Sequence, residues 1–496
     1  YLSSYFINLC LLKKETMLAY HKFITLFFSI LLFGSVHSQY FISSSFINTI
    51  EPIVLQAISG LSLPYSVDTY KIIYNTTDVD GTQTVASGAL CIPVSPDCQG
   101  FPIAVYEHGT SLRKIDVPSE DVSETYIGRI FAAGGYQVVM PDYLGMGESP
   151  GLHPYCHGES EATATIDMIR AVREAQNMGV IPGMEPDNGE LFITGYSQGG
   201  HAAMATHKYI EENNLLDEFN VIASAPCSGP YEITGAMADT ILAASYSNPG
   251  YIVYIMAAYQ RVYGNLYTSY SDILKSPYDE IVEPYFNGNN YTLAMGSLNE
   301  QLPNEIQAFV EDSVLSNFLD ASIEQNHPIW QAMAANDNHD WLPTRPVKMY
   351  YCTGDEQVSF QNALAAEAAM LANGAVDVEA VYKGDGMHND CVLPSLTDAF
   401  SWFEALKTEC SSAEAVNLDA TDVKVYPNPT KSIITIQSNE FKQCEVLLSD
   451  PSGRIVLTFN KHQEVQDIDL SKLISGAYFI ELRTESKSAI LKLIKE

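Results

Sequence analysis

Ser197 stands in Gly195-Tyr196-Ser197-Gln198-Gly199, between an apolar run, Leu191 to Thr194, and the small residues Gly200, Ala202 and Ala203. A serine with glycine two residues to either side fits a strand-to-helix bend sharp enough to expose its hydroxyl as a nucleophile. A plain strand-to-helix turn uses the same residue types, so the reading needs partners: a general base, and an acid to orient that base. Asp355 follows the apolar run Val347 to Cys352, in Thr353-Gly354-Asp355-Glu356-Gln357-Val358, and His388 follows Val378 to Tyr382, in Lys383-Gly384-Asp385-Gly386-Met387-His388. Both therefore fall where a strand ends, in the chain order serine, acid, histidine. Glu356 competes with Asp355 for the acid, whereas Asp385 and Asp390 share the histidine's own loop and are poorly placed to reach it. Of 11 histidines only His388 occupies such a position; His108, His153, His157, His201, His207 and His339 read as loop or helix residues.

The chemistry this trio offers is acyl transfer. Neutral His388 takes the Ser197 proton as the hydroxyl attacks a carbonyl, then returns it to the leaving group, while Asp355 holds the imidazole and its charged form. A rate carried by a histidine base falls as imidazole protonates, which in model peptides happens near pH 6.5. The tetrahedral oxyanion needs two fixed N–H donors. One is the backbone of Gln198, at a helix N-terminus where the dipole helps. The other is expected from the loop after Phe101 to Glu107, with Thr110 favoured over Gly109, although His108-Gly109 also suits a simple tight turn. This reading asks nothing of the Gln198 side chain, and it leaves His201 to helix packing. No cysteine spacing matches a zinc site, and no metal or cofactor is expected.

Elements must bring these residues together. From Ser66 the chain reads strand, strand, then β-α alternation: helices near Val122–Ala133, Glu159–Asn177 and Gln198–Glu212, between continuous apolar strands. That is the pattern of a mostly parallel sheet covered by helices on both faces, an α/β fold. Alternation stops at about 230–343, a Tyr- and Ala-rich helical stretch, and resumes with a helix over Gln361–Asn373 and a last one from Pro394. An insertion there is expected to form a cap over the C-terminal edge of the sheet, where open α/β sheets bind ligands. Tyr254, Met256, Tyr259, Tyr263, Tyr267 and Tyr270 suit either an apolar pocket or the cap's own core. After a polar linker, 411–422, short alternating strands over 423–496 indicate a small β-sandwich.

The chain has 496 residues, 26 Lys and Arg against 60 Asp and Glu, and a formal net charge of -34. Such a surface repels phosphate backbones, so nucleic acid is excluded as a partner. The stretch from Met17, with His21 and Lys22 before an apolar run to Phe33, reads as a secretory signal peptide over 17–38, cleaved before Gln39, with 1–16 as upstream sequence. Its apolar run is too short for the roughly 20 residues of a membrane-crossing helix, so no transmembrane segment is expected in the mature chain. Export permits disulfides, and Cys91 with Cys98, flanking a Pro-containing turn, is the first pair expected.

Six stretches taken together, "YEHGT", "PDYLGMGES", "LHPYCHGES", "GYSQGGHAA", "CTGDEQV" and "GDGMHND", resemble the secretory-lipase-type α/β-hydrolases over roughly residues 60–410. The resemblance implies an α/β-hydrolase fold with a large helical cap, an extracellular ester-hydrolase activity and a Ser197–Asp355–His388 triad. It also brings His153, Pro154 and Tyr155 close to a substrate pocket, where His108 and Tyr196 are further candidates. At the C-terminus "VYPNPT", "GAYFIEL" and "KLIKE" resemble the type A sorting domain of the type IX secretion system, implying secretion machinery as a partner and removal of the domain or its exchange for an anchor. A carbohydrate-binding sandwich is the alternative, but aromatics for a sugar platform are few: Tyr426, Phe441, Phe459, Tyr478 and Phe479. A secreted serine esterase is thus expected, acting on a lipid, small or polymeric ester. Alternatives are a prolyl-type serine peptidase and a non-catalytic binding protein on the same scaffold.

Overall fold

Nine strands form one sheet: β1 (Phe41–Ile50), β2 (Ser66–Thr77), β3 (Gln83–Val94), β4 (Ile103–Glu107), β5 (Gln137–Pro141), β6 (Glu190–Tyr196), β7 (Asn220–Cys227), β8 (Val347–Tyr351) and β9 (Val378–Tyr382). Their order is β1-β2-β3-β5-β4-β6-β7-β8-β9. The pairings from β1 to β5 are antiparallel, and those from β5 to β9 are parallel. The computed structural model describes residues 40–496 except 96–97, 99, 243–244, 320–327, 409, 411–422, 440, 450–454 and 485–487. The expected signal peptide, the residues before it and the linker 411–422 lie outside the described residues.

The strand period of two divides the apolar residues between two cores. Ala104 and Tyr106 of β4, with Val138 and Met140 of β5, face Phe131 of helix α2 (Thr125–Ala133) and Phe400 and Phe403 of the last helix. Ile103 and Val105, with Val139, face Ile166, Met168 and Ile169 of α3 (Gly158–Met178) and Ala203 and Ile210 of α4 (Gln198–Glu212). Each buried aliphatic or Phe side chain contributes about 1.5–3 kcal/mol, which is why β4 and β5, buried on both faces, read as unbroken apolar runs. An N-terminal helix, α1 (Pro52–Ser59), adds Leu55 to the first core. β1 and α1 lie before Ser66, where the expected strands begin, and their outer residues Phe46, Ile53 and Ile58 remain exposed.

Between β7 and β8 the chain forms the cap. Its longest helix is α5 (Pro249–Tyr263), and shorter ones run over Met295–Asn299, Ile306–Phe309, Asp312–Leu319 and Pro328–Ala334. Its core gathers Val253, Tyr254, Leu298, Phe309 and Val310 around Leu112, Tyr155 and Cys156 from the sheet-edge loops. Polar contacts tie the two parts: Tyr254 Oη donates to Ser111 O at 3.1 Å, Tyr259 Oη to Cys156 O at 3.0 Å and Tyr246 Oη to Gln357 O at 2.8 Å. After β8 come α6 (Gln361–Ala372) and α7 (His388–Leu406). Pro394, expected to open the last helix, lies inside it, and α7 starts at His388, where Asp390 caps the Met387 N–H. Among the described residues no helix is long and apolar enough to cross a membrane.

The expected Cys91–Cys98 pair is not formed. Cys98 bridges to Cys410, 312 residues away, and Cys352 to Cys391. Cys91 is a free thiol buried in the core with Phe131 and Met140, its sulfur 3.9 Å from Thr69 Oγ1. The C-terminal region forms two antiparallel sheets, β10 (Lys424–Tyr426), β11 (Ile433–Gln437) and β14 (Val465–Asp469) against β12 (Cys444–Ser449), β13 (Ile455–Lys461), β15 (Gly476–Arg483) and β16 (Ser488–Lys495). Ile434, Ile436 and Ile468 of one meet Val446, Ile480, Leu482 and Leu493 of the other in a single core, which also takes Phe441 and Tyr478.

Candidate active site

Ser197 joins β6 to α4 with φ at 61° and ψ at -120°, a left-handed conformation that costs a non-glycine residue about 1–3 kcal/mol. Its glycine neighbours are required by close approach rather than by unusual dihedrals. A Cβ on Gly199 would lie 1.9 Å from Glu107 O, one on Gly195 2.2 Å from Gly199 O, and one on Gly200 2.4 Å from Cys227 O. The bend is thus wedged between the ends of β4 and β7, with the serine facing the cap.

His388 and Asp355 arrive from the neighbouring strand ends. His388 Nδ1 lies 2.7 Å from Asp355 Oδ2, and both side chains are buried. The carboxylate only accepts, so Nδ1 carries the proton and Nε2 is left as the basic nitrogen. Asp355 Oδ1 accepts N–H bonds from Gln357 at 3.0 Å and Val358 at 2.9 Å, which fix its orientation. Glu356 takes a different place: its Oε2 accepts the His388 backbone N–H at 3.0 Å. Asp385 bonds Thr353 and Tyr382 instead. Tyr196 Oη donates to His388 O at 2.6 Å, and its ring packs on the imidazole at 5.1 Å.

Among the described residues no acceptor is found for the backbone N–H of Gln198 or of Thr110. Gly109 is different. Its N–H is committed to Glu124 Oε1 at 2.8 Å, a carboxylate that Tyr106 Oη also binds, so Gly109 is removed from the oxyanion candidates. The Gly109 backbone lies under the nucleophile, since a Cβ there would come 4.0 Å from Ser197 Cβ.

Two spaces meet at Ser197. One runs into the cap, a narrow cavity of about 80 Å³ lined by Tyr155, Ile233, Ile252, Ile255, Met256 and Ile329 among other apolar residues. The other is a wider, more polar cleft of about 370 Å³, bordered by Thr110, Ser123, Glu124, Tyr196, Gln357 and His388. Of the four pocket residues expected, Tyr155 lines the first and Tyr196 the second, whereas His108 and His153 are buried behind the loops and line neither. Of the cap residues, Met256 and Tyr259 border the cavity, while Tyr254 stacks on Tyr155 at 4.4 Å and Tyr263 bonds Asn336.

Beneath the bend lies a buried network that sequence reasoning missed. Gln198 Nε2 donates to Glu161 Oε1 at 2.9 Å and to His153 Nε2 at 2.7 Å; His153 Nδ1 donates to Leu144 O at 2.8 Å. Glu161 Oε2 pairs with His201 Nδ1 at 2.7 Å, and His201 Nε2 reaches Asn336 O at 3.1 Å. Burial opposes the His201 charge, but the Glu161 carboxylate outweighs it and raises His201. Burial likewise opposes the Glu161 charge, and His201 and Gln198 outweigh it and hold the carboxyl low. His153 is neutral, pushed down to about 4 by burial. The Gln198 side chain, of which the sequence reading asks nothing, is thus held by Glu161 and His153. The signal was available: Gln198 and His201 are three apart on one helix face.

A nine-stranded, largely parallel sheet with a serine on a strained β6–α4 bend, and an acid and a histidine after β8 and β9, defines an α/β-hydrolase. The chain belongs to the secretory lipase family, which matches residues 115–409, and residues 424–496 match the secretion system C-terminal sorting domain. As a member of that family with that domain it is a carboxylic ester hydrolase and a secreted protein. No curated protein matches the chain. Among solved structures it is similar to the rice cell wall degrading esterase LipA from Xanthomonas oryzae, with 29% identity over 75% of this chain and 98% of that one at a TM-score of 0.66. Candida antarctica lipase A, 18% identical over 76% of this chain and 85% of its own at a TM-score of 0.53, shares the fold.

Proposed function

We propose that this chain hydrolyses carboxylic esters through an acyl-enzyme on Ser197, with His388 as general base and acid and Asp355 orienting it. The observation that carries the reading is the Asp355–His388 pair and Ser197 meeting where an apolar cavity joins a polar cleft. The acyl chain enters the apolar cavity, since burying each methylene there gains about 0.8 kcal/mol. The alcohol leaves through the polar cleft. Attack on the carbonyl builds negative charge on its oxygen, which the N–H groups of Gln198 and Thr110 receive; each such donor is worth about 3–4 kcal/mol. The proton taken by His388 Nε2 passes to the alcohol oxygen, water then attacks the acyl-enzyme by the same route, and Ser197 is restored.

The similarity to the rice cell wall degrading esterase LipA from Xanthomonas oryzae supports the same chemistry here. In the exported protein, residues 39–410 carry the hydrolase and 423–496 the sorting domain, with the signal peptide removed before Gln39. Wild-type protein is expected to hydrolyse p-nitrophenyl butyrate, and Ser197→Ala to lose that activity. Turnover of a proline p-nitroanilide without esterase activity would instead support the peptidase alternative.

A further inference from the structure

Asp355 and His388 belong to different β-α units, and the β8–β9 ladder ends just before their loops, at the Tyr351–Tyr382 pair and the Lys383 N–H bond to Tyr351 O at 2.8 Å. What spans the gap is a short list. Thr353 donates its N–H to Gly384 O at 3.0 Å and its hydroxyl to Asp385 Oδ1 at 2.6 Å, and Glu356 accepts the His388 N–H. The loops touch backbone to backbone, because a Cβ on Gly354 would lie 2.3 Å from Asp385 O. The Thr353–Asp385 bond is open to solvent and competes with water, and the Glu356 bond to the His388 N–H is only part-buried.

Besides the Asp355–His388 hydrogen bond itself, one further buried link spans the gap, and it is covalent. Cys352, at the end of β8, bridges to Cys391 in the first turn of α7, and both are 1% exposed or less. Cys352 precedes Asp355 by three residues, and Cys391 follows His388 by three, nearly one turn along the same helix face. The bridge thus fastens the root of the acid loop to the first turn of the histidine's helix.

We propose that the Cys352–Cys391 disulfide is a positioning element of the active site, holding Asp355 and His388 in register; this rests on the triad reading above. Catalysis by positioned groups falls by about 100-fold for a misplacement of about 1 Å. Opening the bridge takes two electrons and two protons, gives two thiols, and in the test below oxidises dithiothreitol to its cyclic disulfide. The enzyme is then weak where thiols are kept reduced and gains full activity on reaching an oxidising exterior.

The test compares full-length wild type with the double variants C352S/C391S and C98S/C410S, and with Ser197→Ala, on p-nitrophenyl butyrate. C352S/C391S is expected to keep its circular dichroism and a KM within about twofold, yet to lose about tenfold or more in kcat. C98S/C410S, whose bridge lies before β4 and after α7, at the ends of those elements away from the site, keeps kcat and melts at a lower temperature. If C352S/C391S does not fold, folded C98S/C410S is reduced with dithiothreitol and reoxidised, with alkylation and mass spectrometry following Cys352 and Cys391. The kcat should fall and return in step with those two thiols. Wild-type kcat with the bridge absent, or kcat lost only together with the fold, overturns the proposal. Full activity in Ser197→Ala overturns it as well, by removing the triad on which it rests, whereas loss there beside an unaffected C352S/C391S overturns the disulfide role alone.

Discussion

Ser197 pairs a strained backbone with a hydroxyl at the meeting point of two cavities, and replacing it tests chemistry with little cost to packing. Ser197→Ala is expected to lower kcat by about 10⁴-fold or more while leaving the melting temperature near wild type. Glu161 lies one step further back. Glu161→Gln leaves the raised His201 without its carboxylate, so stability should drop by about 3 kcal/mol, read by denaturant titration. In the same variant Gln198 loses a charged acceptor, and kcat should fall more than KM rises. Glu107, at the end of β4, has a separate signature: burial raises its carboxyl to about 8 from an ordinary 4.5, with Thr165 offsetting part of the shift. A folded-state value above the unfolded one means the folded protein keeps a proton that the unfolded chain has released. Stability therefore falls as pH rises from about 4.5 to about 8. Glu107→Gln, neutral throughout, should gain in melting temperature over wild type across that window, and a difference constant with pH contradicts a buried protonated Glu107. The placement of Ser197, Asp355 and His388 after β6, β8 and β9 was legible because chain order and strand ends constrain it. The partners of Gly109 and Gln198 were not, since Glu124, in the turn before α2, and Glu161, in α3, face the site only through tertiary packing.

The sheet edge, the bend and the cap act as elements. Helix α4 begins and ends where the glycines and polarity pattern indicate, at Gln198 and Glu212, because the close approach of β4 and β7 leaves no other residue type at Gly199 or Gly200. β1 escaped notice because an edge strand with a solvent-facing side carries serine and asparagine among its apolar residues and lacks the unbroken run of the buried strands. The cap was legible as helical, but which of its aromatics face the cavity was not, since a helix apolar on most sides gives no unique inward face. Ile255, on α5, borders the cavity. Ile255→Trp should fill it, and a panel of p-nitrophenyl esters should then show butyrate turned over near the wild-type rate and dodecanoate slowed about tenfold or more, since each excluded methylene forfeits about 0.8 kcal/mol. Equal loss on both esters would argue that the acyl chain lies elsewhere.

At the scale of the whole molecule, an acidic surface, export and disulfides belong together. The Cys98–Cys410 bridge closes 312 residues and ties the end of the hydrolase region back to the loop after β3. Sequence proximity favoured Cys91 for Cys98; a partner so distant becomes visible only when the fold brings α7 back past that loop. Losing the bridge should cost about 2–5 kcal/mol, seen as a lower melting temperature with kcat at 25 °C unchanged. The sorting domain has its own core, so a chain ending after Cys410 should keep its kcat on short esters, and loss of activity on that truncation would contradict the proposed division at 411–422.

Ester hydrolysis by the proposed route passes through a covalent intermediate at Ser197. Native protein incubated with a fluorophosphonate and then digested for peptide mass mapping should carry one adduct, on the peptide holding Ser197, in proportion to the activity lost. Inactivation with the adduct on another residue, or full esterase activity with Ser197 completely labelled, would contradict it.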